Sequence, residues 1–247
     1  MPTRCIAAVA LYGTKTAVFK GLLEAVQGIC SVKLRERFHP YTLDQIHSTV
    51  IRLDGRIDME TGHLVNQHYI ELAGVRRAMD HAKAMEILTA HFATPLGIRI
   101  GGLSPHKSAK FFSRGQPPYE RMFSAQDGSL VLMGWPEATV MNGISQKPLD
   151  DLRRQMNEAN ILHWYHQSWS DVDNDFHLVI GRYNAVSQHK ANEAVRDVSL
   201  LLSEQPTGIE VGINEIAIIA ADSPTLAPAR FIGRLPVDPT DIANLYR

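Results

Sequence analysis

Two strand-like runs that each carry a histidine near their start, Gln45–Leu53 and Asp175–Tyr183, fall at the same place in two similarly ordered halves of the chain. No other feature limits the possible folds as strongly. In the first run His47-Ser48-Thr49-Val50-Ile51 is rich in β-branched residues and is closed by Asp54-Gly55; in the second, His177-Leu178-Val179-Ile180 continues into Gly181-Arg182. Ahead of the His47 run, Arg4–Leu11 reads as a buried strand, and Val18, Leu22, Val26 and Ile29 place an amphipathic helix over residues 14–29. After it, Leu72, Val75, Met79, Ala82, Leu88 and Phe92 mark a helix stopped by Pro95, followed by the strand Leu96–Ile100. The second half repeats that order. Ser129–Trp135 is a strand, Leu149, Leu152, Met156 and Ala159 define a helix behind Pro148, and the His177 strand comes next. Ala191, Val195, Val198 and Leu202 then mark a helix, and Ile209–Ala220 an apolar strand.

This order predicts an α+β protein, a duplicated two-lobed α/β unit with antiparallel sheets around a central cleft and pseudo-twofold symmetry. One domain is expected over 1–247, with lobes of approximately 4–103 and 129–220. The equivalent strands should then bring His47 and His177 across one cleft, although 177 − 47 = 130 residues separate them. Alternation along a strand pairs His47 with Thr49 and His177 with Val179 on one face, while Ser48 points away.

The 247 residues with 45% hydrophobic content suffice for a substantial core. A formal charge of -1 argues against an extended nucleic-acid groove, which needs many cations to meet backbone phosphates. A small or terminal phosphate ligand suits that balance better. Cys5 and Cys30 have no spacing typical of a cystine framework and read as reduced, buried thiols. The Arg4–Leu11 run is too short to span a bilayer and no cleavage pattern follows it, so the expectation is a monomeric cytoplasmic protein with no membrane partner.

Two imidazoles with unperturbed pKa near ~6.5 can divide acid and base work on a phosphate ester, one accepting a proton and the other donating one. A Thr49 hydroxyl beside them would donate to a non-bridging oxygen. At these residues the chain resembles the two-histidine (2H) phosphoesterase superfamily, whose mark is a pair of His-x-Thr/Ser-x tetrapeptides on strands facing a cleft. His47-Ser48-Thr49-Val50 matches in full; His177-Leu178-Val179-Ile180 keeps the histidine but has Val179 in the hydroxyl position. Gly181-Arg182 is similar to the ending of the family's second motif, Pro95–Leu103 with Leu130–Gly134 to its central strand pair, and Ile213–Ile218 to its late strand.

The resemblance implies a metal-independent enzyme, without cofactor, that hydrolyses a cyclic phosphate or a nucleotide or RNA phosphodiester. His47 and His177 would be catalytic, and Thr49, Val179 and Arg182 would face the substrate. Within Ser104–Gly128, where Lys107, Lys110 and Arg114 are interleaved with aromatics, Phe112 and Tyr119 are expected to meet the base. Two alternatives stay open. Val179 admits a nucleotide- or RNA-end-binding module with little turnover, and His163, His166, Asp171, Asp173, Asp175 and His177 admit a metal-dependent phosphoesterase.

Overall fold

The computed structural model describes residues 5–106, 109–222 and 229–246. In chain order the elements are β1 (Cys5–Ala10), α1 (Ala17–Leu34), β2 (Phe38–Pro40), β3 (Ser48–Arg52), β4 (Arg56–Ile57), β5 (Leu64–Val65), α2 (Gln67–Ala73), α3 (His81–Phe92), β6 (Leu96–Ile100), β7 (Phe123–Gln126) and β8 (Ser129–Pro136). They continue as α4 (Glu137–Asn142), α5 (Pro148–Gln155), β9 (Phe176–Tyr183), α6 (Gln188–Glu204), β10 (Thr207–Val211), β11 (Ile216–Ala221), β12 (Arg230–Arg234) and α7 (Pro239–Asn244). The fold is α+β, with one large antiparallel sheet ordered β10-β6-β8-β9-β3-β1-β11-β12, β2 pairing with β9 and β7 with β8.

That order has a geometric consequence. β10 and β11 lie six strand spacings apart in the sheet, about 29 Å if it were flat. Yet Val211 and Ile216 are joined by a link of five peptide units that reaches at most about 18 Å. The sheet must therefore curl until its ends approach. It is also pinched in the middle, because β3 and β9 share the single pair Ser48↔Leu178. Along the main path four strands lie on either side of that pinch, with β2 and β7 added on the β9 side, and the chain's halves interleave there: β6 pairs with β8, whereas β11 pairs with β1. Segments 4–103 and 129–220 thus do not form separate sheets; each contributes its last strand to the other's neighbourhood.

One face of the sheet buries the main core. Ile6, Ala8 and Ala10 of β1, Leu178 and Ile180 of β9, and the inner faces of α1 and α6 belong to the same apolar cluster. Three sequence expectations change. The helix drawn through Leu72–Phe92 is two helices, since Gly74 closes α2 at φ 70° and the Asp80 carboxylate caps α3 by accepting from Lys83 N–H. The run Ile209–Ala220 is β10 and β11, divided by a turn in which Glu215 accepts from Gly212 N–H. The stretch Ser104–Gly128 is less irregular than expected, because its end forms β7 and the two-residue Asp127-Gly128 hairpin into β8, both residues at positive φ. Lys107 of that stretch lies outside the described residues.

Candidate functional site

The Ser48↔Leu178 pair fixes the geometry of the centre. In antiparallel register it sets Thr49 opposite His177 and His47 opposite Val179, each pair projecting from one face, while Ser48 and Leu178 are fully buried on the other. All four of these outward residues line one cavity of about 280 Å³. The histidines are diagonal neighbours across the two strands, a relation that spaces residues by about 7–8 Å, with Cβ atoms somewhat closer, in a regular ladder and leaves room for a small tetrahedral anion.

β3 begins at Ser48 rather than Gln45, because Leu43–Gln45 forms a single helical turn. That turn presents the Gln45 carbonyl to His47, whose Nδ1 lies 2.7 Å away. A carbonyl only accepts, so Nδ1 carries the hydrogen and Nε2 is the nitrogen left to the cavity. Burial pushes the His47 imidazole down to about 4, against the Gln45 hydrogen bond, so at neutral pH its Nε2 holds a free lone pair. His177 is also pushed down to about 4, by burial first and then by the positive charge of Arg153.

Each histidine strand carries a bulge three residues past its histidine. The β1–β3 register skips Val50 and the β8–β9 register skips Ile180. A bulge reverses the alternation, so Arg52, opposite Ala7, and Arg182, opposite Ser129, return to the histidine face five residues beyond their histidines. Arg52 lines the cavity and pairs with Asp54 at 2.5 Å. Arg182 is exposed and stands outside the cavity lining.

Arg153 of α5 holds the centre together. It is fully buried, donates Nε to Val50 O at 3.0 Å and Nη2 to Thr49 O at 3.2 Å, and reaches Asp173 O at 2.8 Å and Asp175 O at 3.2 Å through Nη1. One guanidinium thus joins the bulge of the His47 strand to the entry of the His177 strand, where the sheet supplies no further ladder. Asp175, on the cavity wall, is fixed in turn by Arg121 Nη1 at 2.7 Å and Trp135 Nε1 at 2.8 Å.

The rival histidines are occupied by carboxylates. His163 Nε2 donates to Asp173 at 2.8 Å and His166 Nε2 to Asp150 at 2.9 Å. Burial, reinforced by Arg153, pushes His163 down to about 3, so it donates as a neutral ring; its Nδ1 is buried without a hydrogen-bond partner among the described residues. Although burial opposes it, the Arg153 charge and the His163 hydrogen bond hold the Asp173 carboxyl well below its usual range. Among the described residues no group of three or more His, Cys, Asp or Glu is placed to hold a metal ion.

These shifts predict a pH dependence of stability. His47, His163 and His177 protonate in the unfolded chain near ~6.5 but in the fold only near 4, 3 and 4, so between those values the unfolded state binds more protons. Their stabilisation is complete above ~6.5 and is lost as pH falls toward 4, whereas the depressed Asp173 adds its loss only below ~3.9. Thermal unfolding from pH 7.5 to 4.5 should show a falling Tm. The double variant His47→Gln/His177→Gln should show a shallower fall, and an equal slope would contradict these proton affinities.

Of the other expected substrate residues, Phe112 is 65% exposed and lines a neighbouring cavity, while Tyr119 packs half-buried against the core and lines neither. Sequence reasoning missed Arg153, Tyr165 and Trp164. Arg114 stacks 4.1 Å over the Tyr165 ring, whose edge meets His177 with centroids 6.1 Å apart. A Trp-Tyr pair beside His163 and His166 in a polar loop was the only signal available.

The sequence matches no protein-family model and no curated protein. Among solved structures it is similar to TT0787 of Thermus thermophilus, with TM-score 0.44 and 12% identity over 93% of this chain and 96% of that one. It is also similar to ATU0111, a conserved protein of unknown function from Agrobacterium tumefaciens str. C58, with TM-score 0.44 and 10% identity over 95% of this chain and 86% of that one. No helix of the described residues is long and apolar enough to cross a membrane.

Proposed function

We propose that this chain is a metal-independent phosphodiesterase of the two-histidine kind, acting on a cyclic phosphate or a nucleotide or RNA-end diester. The observation that carries the reading is the diagonal His47–His177 pair with Thr49 in one cavity. His47, with hydrogen on Nδ1 and a lone pair on Nε2, is the general base that takes a proton from the attacking water or hydroxyl. His177 is the general acid, and it is charged by the approach of the anionic phosphate, which counters the burial and the Arg153 charge that hold it neutral in the free protein. Thr49 and Arg52 meet the non-bridging oxygens; Val179 supplies no donor opposite His47.

The test is hydrolysis of a panel of cyclic and linear nucleotide diesters in excess chelator. Turnover of at least one is expected. Tight binding across the panel without product would favour the binding module that Val179 allows, and strict dependence on added divalent metal would replace the mechanism.

A further inference from the structure

A second cavity, of about 530 Å³, abuts the first and shares Arg114, Tyr165 and Asp175 with it. Its lining joins an aromatic pair, Trp135 and the buried Phe111 ring meeting edge to face at 5.7 Å, to the polar side chains of Asp171, Asp173 and Asn174. Its rim is unusual for a solvated surface, since Phe112 is 65% exposed, Ile144 41% and Tyr165 41% around one opening. The partition is built for charge as well as stacking. Arg114 is 40% exposed and, among the described residues, pairs at 3.4 Å with Asp173 and 3.6 Å with Asp175, so its guanidinium reaches both cavities while stacked on Tyr165. Because Tyr165 also touches His177, any group in the second cavity lies on the His177 side of a phosphate bound between the histidines.

We infer that the second cavity receives the base of the leaving nucleoside, so that the substrate is a linear dinucleoside-type phosphodiester rather than a cyclic mononucleotide alone. This rests on the two-histidine reading. Water adds its oxygen to phosphorus and loses a proton to His47; the bond from phosphorus to the leaving oxygen breaks, and His177 returns a proton to that oxygen. One water is consumed, a monoester and a nucleoside leave, and no redox partner is needed. Phe112 and the Arg114–Tyr165 stack offer flat surfaces to a heterocycle, and stacking of this sort tolerates any base.

The experiment compares wild type with Phe112→Ala, an exposed position whose truncation leaves the core intact. For each, KM is measured for a dinucleoside monophosphate and for a 2′,3′-cyclic mononucleotide, and dinucleoside binding is followed by calorimetry. The ratio of the dinucleoside KM to the cyclic KM should rise about tenfold or more in Phe112→Ala, with dinucleoside binding weakened to match. An unchanged ratio, or a wild type that opens the cyclic ester but leaves the dinucleoside intact, overturns the inference while leaving the histidine pair standing. Should neither ester be hydrolysed, the histidine reading fails by itself, and calorimetry decides the subsite: tenfold weaker binding in Phe112→Ala supports it and equal binding overturns it.

Discussion

Replacing either His47 or His177 by Gln should lower kcat by roughly 10² to 10⁴ while the protein stays folded. Gln keeps approximate size and a hydrogen-bonding end but cannot relay a proton, so the loss reports chemistry rather than packing. Both rings face a cavity rather than the core, so neither replacement opens a void. The pH profiles should separate the roles. Both imidazoles sit near 4 in the free protein, so kcat/KM, which reports the free enzyme, should be largest at acidic pH and decline through neutrality. The kcat profile reports the complex, where the phosphate anion favours imidazolium, and its optimum should lie at higher pH. Each Gln variant should lose one limb. A folded variant with near wild-type turnover would remove that histidine from the mechanism.

Arg153→Met should destabilise the fold by about 3–5 kcal/mol, the usual result of removing one partner of a buried ionic cluster. Methionine fills much of the volume but leaves the Val50, Thr49, Asp173 and Asp175 carbonyls without their donor, and it strips Asp173 of a cation 3.5 Å away. Because the same side chain spans the two histidine strands where their ladder has ended, turnover should fall with stability, and Arg153→Lys should recover the charge without the four-carbonyl grip. Urea unfolding checks this, with a midpoint within error of wild type contradicting the clamp.

The two histidines were legible because strand alternation and position in the element order are local properties, and parity assigned Thr49 and Val179 to the cavity side without any tertiary information. What escaped was non-local. Arg153 lies beside Leu149, Leu152 and Met156, and no helical periodicity says that its guanidinium will meet carbonyls from Thr49 and Val50 more than a hundred residues away. The bulges at Val50 and Ile180 are likewise invisible in composition, yet they turn Arg52 and Arg182 to the histidine face. Ile209–Ala220 looked like one strand because apolar residues recur along it; β10 alternates buried and exposed positions beside β6, whereas β11 is buried throughout between β1 and β12. Gly74, by contrast, was a helix-ending signal present in the sequence and outweighed by the apolar period around it.

Whether His47 and His177 together turn over a phosphodiester without metal can be decided in one assay. Wild type and the His47→Gln/His177→Gln double variant are compared on dinucleoside and 2′,3′-cyclic nucleotide esters in excess chelator. Product is expected from wild type, and a rate at least ~10²-fold lower from the folded double variant. Equal rates from the two proteins, or product that forms only after a divalent cation is restored, would contradict the two-histidine mechanism.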